Sequence, residues 1–310
     1  MPSLPPSTFL PPPFPSSHLT FLPPPTPSSH KGFLHLRHLT IGGSPPYFGA
    51  LTYSSSACLT VGSDMTSALT MQDTVADNLR NNPLISGEVM VYSGDYCKIQ
   101  EIYPGISGTV IGPGLGRSKE SQKWGYDISK FLVSDPKPRV ILLDADALWT
   151  DNDSNIIDLY KDSIHTIIIT PNFMEYTRLV KRYLPDNEGG ETGENCKLIL
   201  EILGVDGIIL KGEIDIITTK NTQITCEVNG CNKRPGGLGD VLSGSVLVFL
   251  TWFMKYNKNE CGIEVALWCG CAVVREAGRR AWGRKKRRMG AKDVLEEVGE
   301  VVEEVWPTFD

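Results

Sequence analysis

The chain has 310 residues, 41% hydrophobic and 21% charged, a balance that supports one large globular core. Its formal net charge of −6 and pI near 5.5 give no bulk electrostatic reason to expect nucleic acid, so small-molecule chemistry is the expectation. Eight cysteines without Cys-x-x-Cys spacing, and five histidines at or before His165, argue against a structural zinc site or a disulfide framework. The cysteines read as small buried hydrophobes.

Residues 1–30 are dominated by Pro, Ser, Thr and Leu, a composition that cannot pack a core, and are expected to be a disordered tail. No acid precedes Asp64, as in organelle transit peptides, which sets mitochondrial or plastid targeting beside a cytoplasmic location. Dense proline opposes the amphipathic helix that such signals use. Residues 31–310 are read as a single catalytic domain.

Short β-branched apolar runs then alternate with polar, helix-compatible stretches, the pattern of a mostly parallel sheet with helices on both faces. The strands predicted are Glu88 to Tyr92, Thr109 to Ile111, Arg139 to Leu143, His165 to Thr170 and Gly207 to Lys211. Asp215 to Thr219 and Gln223 to Val228 form an expected edge hairpin. Helices are predicted over Asp240 to Phe253, Gly262 to Ala277 and Ala291 to Trp306, the last with valines and Leu295 recurring at helical spacing. No apolar run reaches the roughly 18–20 residues that span a bilayer, because Val241 to Met254 is broken by Ser243, Gly244, Ser245 and Thr251. A soluble protein without a membrane partner is the expectation.

Open α/β sheets bind ligands outside the carboxyl ends of their strands, so polar breaks at those ends should converge. The strongest is Gly236-Gly237-Leu238-Gly239-Asp240, which runs straight into an apolar helix. Its backbone N–H groups and the helix N-terminus suit an anion such as a transferring phosphoryl group, and Asp240 stands where a base is needed. The competing reading makes Asp240 a helix cap. Gly112-Pro113-Gly114-Leu115-Gly116 follows a strand and offers either a close approach to a pyrophosphate or a plain turn. Asn172, Glu175 and Arg178 share one helical side, as ligand contacts or as a capped helix with a Glu175/Arg178 surface pair. Lys211 ends an apolar strand, and Asp144 and Asp146 follow another, where carboxylates hold Mg²⁺ through water or serve a turn and a cap. The run Arg284 to Arg288 reads as a solvated loop between helices, with a nuclear signal or phosphate patch as the alternative.

The segment Gly236 to Gly244 resembles the signature of the ribokinase-like carbohydrate kinase superfamily. Ile111 to Arg117, Asp144 to Trp149, Thr170 to Leu179 and Leu210 to Asp215 narrow the resemblance to the ATP-dependent NAD(P)H-hydrate dehydratases. That resemblance implies an α/β ribokinase-like fold, with ATP as co-substrate, Mg²⁺, and the hydrated dinucleotides (S)-NADHX and NADPHX as substrates. Asp240 would be the catalytic base. Gly114, Gly116, Asn172, Phe173, Met174, Glu175, Tyr176, Thr177, Arg178 and Asp240 would contact the dinucleotide. Lys211, Gly212, Glu213, Ile214 and Asp215 would bind ATP, as would Gly230, Cys231, Asn232, Lys233, Arg234, Pro235, Gly236, Gly237, Leu238 and Gly239. Two departures stand out: Ile41-Gly42-Gly43-Ser44 runs directly into Pro45-Pro46-Tyr47-Phe48 without the family's Tyr-Thr-Gly-Ala loop, and Leu238 replaces a Gln. A small-molecule kinase of the same superfamily, such as a hydroxyethylthiazole or vitamin kinase, and an inactive nucleotide-binding homologue are the alternatives. Assembly into a homo-oligomer is left open.

Overall fold

The computed structural model describes residues 36–85, 87–150, 155–256 and 262–306; the tail read at 1–30 lies outside the described residues. Nine strands form one sheet: β1 (Arg37–Ile41), β2 (Met65–Thr70), β3 (Val89–Ser93), β4 (Gly108–Ile111), β5 (Val140–Leu143), β6 (Thr166–Ile169), β7 (Gly207–Leu210), β8 (Asp215–Thr219) and β9 (Gln223–Cys226). The order is β3-β2-β1-β4-β5-β6-β7-β8-β9. The first seven run parallel, and β8 and β9 close the edge as the expected antiparallel hairpin.

The helices are α1 (Phe48–Val61), α2 (Asp73–Arg80), α3 (Tyr96–Ile102), α4 (Lys119–Val133), α5 (Phe173–Tyr183), α6 (Thr192–Leu203), α7 (Leu238–Tyr256), α8 (Glu264–Lys285) and α9 (Ala291–Val305). The central strands are buried on both faces because their side chains alternate between two cores. Val140, Leu142, Ile168 and Ile209 join α1, α7, α8 and α9 on one side. Ile141, Leu143, Ile167, Ile169 and Ile208 join α4, α5 and α6 on the other. This three-layer arrangement is the α/β architecture read from the alternation of runs.

Elements rich in small polar residues escaped the sequence pattern. β2 reads Met-Thr-Ser-Ala-Leu-Thr and α1 carries Ser54, Ser55 and Ser56, all buried. Ser55 Oγ donates within α1 to Leu51 O at 2.7 Å, whereas Ser54 pairs with Ser243 of α7 and Ser56 donates to Leu84 O. The second C-terminal helix, α8, continues through Lys285, so Arg284 and Lys285 belong to its last turn and a 3-10 turn covers Lys286–Arg288. All five residues are exposed, as the solvated reading expected, but only Lys286–Arg288 lie between the helices. The stretch Leu238–Lys255 is long and apolar enough by composition to cross a membrane, contrary to expectation, but 72% of it is buried inside the domain. Cys58, Cys196, Cys226, Cys269 and Cys271 are buried as expected, whereas Cys97 is exposed.

β1 is more polar than a buried strand should be, and His38 shows how that is tolerated. Its ring is fully buried, with Nδ1 2.7 Å from Ser63 Oγ and Nε2 2.7 Å from Thr251 Oγ1. Burial lowers its pKa from 6.5 to about 3, so the ring is neutral in the fold. The unfolded chain takes up a proton below pH 6.5 that the fold refuses until about pH 3. His38 therefore leaves stability intact above 6.5 and drains it as pH falls through that window, by up to about 1.4 kcal/mol per pH unit. Urea unfolding from pH 7 to 4 should show a shallower loss of stability for His38→Gln than for the wild type. Parallel curves would refute this account.

Candidate active site

Because β1, β4, β5, β6 and β7 run parallel, the segments after them all open on one edge of the sheet. After β4, Gly112 takes φ 117°, and a Cβ there would stand 1.8 Å from Asp144 O, so only glycine lets this loop lie against the end of β5. Gly43 N donates to Pro113 O at 2.9 Å, and Ser44 Oγ donates to Gly114 O at 2.9 Å. The shortened connection after Ser44 thus lies directly on the glycine loop, and Tyr47 is left exposed beside it. Gly116 N donates to Asp146 Oδ2 at 3.0 Å, and Arg117 Nε pairs with the other oxygen at 2.9 Å.

The crevice floor is a charged cluster. Lys211 Nζ lies 2.6 Å from Asp144 Oδ1, which also accepts from Thr170 Oγ1 at 2.8 Å. Burial opposes the Lys211 charge, but Asp144 and Glu175 outweigh it and hold the ammonium above its ordinary pKa. Asn172 caps α5: its Oδ1 accepts from Glu175 N at 3.0 Å while Asn172 N donates to Glu175 Oε2 at 2.8 Å. Glu175 is buried, so no Glu175/Arg178 surface pair exists; burial, then the charge of Asp144, raises its pKa.

Above this floor stands the start of α7. Gly237 takes φ 98°, its carbonyl accepts the first helical bond from Val241 N at 3.0 Å, and a Cβ there would collide with Tyr53 and Ala291. Asp240 is the third residue of the helix, inside the first turn rather than at the cap, and its carboxylate makes no hydrogen bond among the described residues. Lys211 Nζ would stand 3.4 Å from a Cβ on Gly239, which brings the floor cation against the anion hole. Burial, then the negative charge of Asp144, pushes the Asp240 carboxyl up to about 7 despite Lys211. A carboxylate with that pKa, in the first turn of a helix whose leading N–H groups have no intrahelical partner, suits a general base next to a phosphoryl group.

The structure brings Gly114, Gly116, Asn172, Glu175, Lys211, Gly239 and Asp240 to one crevice, with Phe173, Met174 and Ile214 exposed at its rim. Tyr176 is not there; it is buried in the core beneath α5. Thr177 Oγ1 is turned back to Phe173 O at 2.9 Å. Asp215 accepts from Gly212 N at 3.0 Å and pairs with Arg275 Nε at 2.6 Å, so its carboxylate shapes the turn after β7 instead of facing a ligand. Sequence reading missed Arg275, which also donates to the carbonyls of Gly212, Glu213 and Val228; a lone arginine after Val273-Val274 was its signal. It also missed Trp149, whose ring is 4.3 Å from the Arg117 guanidinium and 4.8 Å from that of Arg178.

The sequence profile of the NAD(P)H-hydrate dehydratase family matches residues 38–299. The ATP-dependent (S)-NAD(P)H-hydrate dehydratase 2 of Puccinia graminis f. sp. tritici is 30% identical, over 86% of this chain and 83% of its own. The Mus musculus ATP-dependent (S)-NAD(P)H-hydrate dehydratase is 29% identical over 86% and 78%. Among solved structures, the Bacillus subtilis ADP/ATP-dependent NAD(P)H-hydrate dehydratase co-crystallised with ATP/Mg²⁺ superposes with a TM-score of 0.71 at 19% identity, covering 94% of this chain and 97% of that one. A ribokinase-like superfamily protein from Enterococcus faecalis gives 0.72 at 19% identity, covering 95% and 96%. These two likenesses show the fold: the sheet and helices are those of ribokinase-like proteins.

The Asp240 environment can be measured directly. In the ligand-free protein, the carboxyl carbon resonance of Asp240 should titrate with a midpoint near 7. In Asp144→Asn, where a neighbouring negative charge is gone, the midpoint should move to lower pH. A midpoint near 4 in the wild type, or no movement in the variant, would contradict the electrostatic picture.

Proposed function

The chain belongs to the NAD(P)H-hydrate dehydratase family, and from that premise we propose that its crevice carries out ATP-dependent dehydration of (S)-NADHX and NADPHX back to NADH and NADPH. The enzyme is a hydro-lyase that repairs hydrated nicotinamide nucleotides. What supports this most is the placement of Asp240: a base with its pKa pushed up to about 7, in the first turn of α7, beside the Gly237 to Gly239 amides.

Hydration leaves a hydroxyl on carbon 6 of the nicotinamide ring, and hydroxide is a poor leaving group near neutral pH. Asp240 accepts the hydroxyl proton as that oxygen forms a bond to the γ-phosphorus of ATP. The bond from phosphorus to the β–γ bridging oxygen breaks, and ADP leaves with that electron pair. Amides of Gly237 to Gly239 hold the transferring oxygens, with the Lys211 ammonium nearby. The carbon 6 to oxygen bond then breaks, phosphate departs with the pair, the ring nitrogen's lone pair compensates, and loss of the carbon 5 proton restores the ring double bond.

The residues fit a magnesium ion carried by the nucleotide. Asp144, Glu175 and Asp240 surround the Lys211 ammonium, while Asp146 is paired with Arg117, which leaves the floor with excess negative charge. Among the described residues no three His, Cys, Asp or Glu side chains form a metal cage. Mg²⁺ typically keeps its waters and binds through phosphates plus one or two carboxylates, and Asp144 and Asp240 are the residues to reach it. When bound, it would neutralise charge on the β- and γ-phosphates.

Purified protein mixed with hydrated NADH, ATP and Mg²⁺ should restore the near-ultraviolet absorbance of reduced nicotinamide, and omission of ATP should abolish that recovery. Asp240→Asn should lower kcat by at least about a hundredfold, the scale of a lost general base, while ATP still binds. Accumulation of a phosphorylated product without absorbance recovery would reassign the chain as a kinase. Retained turnover in Asp240→Asn would remove the base assignment.

A further inference from the structure

The cationic run at the end of α8 borders the Gly230 to Gly239 segment. Of its five members, Arg284 is neutralised by Glu297 at 2.6 Å and Lys285 faces Asp293 at 3.5 Å. Lys286, Arg287 and Arg288 are exposed, and among the described residues no carboxylate lies within ion-pair distance of them. Lys286 enters the turn at φ 53°, a left-handed conformation that bulky residues avoid, and Met289 N closes the turn on Lys286 O at 3.0 Å.

This turn is tied to the Gly230 to Gly239 segment at two points. Lys233 Nζ donates to Arg287 O at 2.9 Å and to Met289 O at 2.6 Å. Farther along, Ala291 packs so closely on Gly237 that a Cβ there would stand 2.8 Å from its own. Arg234, between these ties, is exposed. The turn that carries the cations is therefore held beside the segment leading into α7. The chain carries a formal net charge of −6, and its floor holds four carboxylates against the two cations Lys211 and Arg117, so its overall field repels a polyanionic substrate. A local positive rim reverses that field at the entrance, and such patches raise association rates by roughly 10- to 1000-fold.

We infer that Lys286, Arg287 and Arg288 form an electrostatic capture rim for the phosphates of ATP, speeding its association without touching the reacting atoms. The inference rests on the reading of Gly230 to Gly239 as the ATP segment. ATP is favoured over the dinucleotide because the turn is fastened to that segment rather than to the Gly112 to Gly116 loop or α5.

Stopped-flow binding of a fluorescent ATP analogue to the full chain tests it, with ionic strength varied across the range where the screening length falls from about 30 Å to about 8 Å. The triple variant Lys286→Gln, Arg287→Gln, Arg288→Gln should bind about tenfold more slowly at low salt, in line with the lower end of steering effects, and its salt dependence should flatten. Its kcat at saturating ATP and its KM for hydrated NADH should hold. The charge-keeping variant Lys286→Arg, Arg287→Lys, Arg288→Lys should restore wild-type rates, which separates charge from damage to the turn. Wild-type association rates and salt slope in the triple variant would overturn the rim alone, as would a defect that the charge-keeping variant shares. A wild-type protein that binds no analogue at any salt would overturn the ATP reading and the rim with it.

Discussion

The site depends on one ion pair, Lys211 with Asp144, which joins the ends of β7 and β5 across β6. Thr170, at the end of β6, donates to the same carboxylate oxygen, so three adjacent strand ends are fastened together at one atom. Taking two charges out of water is costly, and a buried pair of this kind is poor evidence for stability by itself. Its consequence is positional. It fixes an ammonium against Gly239 and a carboxylate near Asp240, and these two charges adjust the Asp240 proton affinity that burial has raised.

The same close packing explains the glycines. The loop after β4 lies against the end of β5 because Gly112 has no Cβ, and the entry to α7 sits against Tyr53 and Ala291 because Gly237 has none. At both places the backbone itself forms the wall, and amide groups are brought where a phosphate or pyrophosphate can reach them. The connection after β1 braces this wall, since Gly43 and Ser44 hydrogen-bond directly to the loop that holds Pro113 and Gly114. Leu238 brings no side-chain amide to the first helical turn, but its backbone donor is kept.

Much of this was legible because the signals were backbone signals. Runs such as Val140 to Leu143 and Thr166 to Ile169 can be buried on both faces, and glycines followed by an apolar helix mark an anion site whatever surrounds them. What stayed hidden depended on partners distant in sequence. β2 and α1 are built from small polar residues whose burial is decided by what packs on them. Helical spacing put Glu175 and Arg178 on one side, but the fold buried Glu175 in a capping box and placed Arg178 over Trp149. Asp215 looked like a ligand residue until Arg275, 60 residues later, took its carboxylate.

The acid floor and the cationic edge answer two requirements that conflict. A base must hold its proton weakly enough to be ionised, yet strongly enough to take one from a hydroxyl. Burying Asp240, and then crowding it with Asp144, Asp146 and Glu175, meets the second requirement by raising its pKa, while Lys211 limits the rise and keeps it near neutrality. The same crowding repels every phosphate that approaches. A crevice with a negative floor can therefore receive ATP only if its positive elements lie at the entrance and along the walls, as backbone amides, as Lys211 against the anion hole, and as the turn fastened to it by Lys233. That segregation of charge lets one site raise the pKa of a carboxylate and still attract an anion.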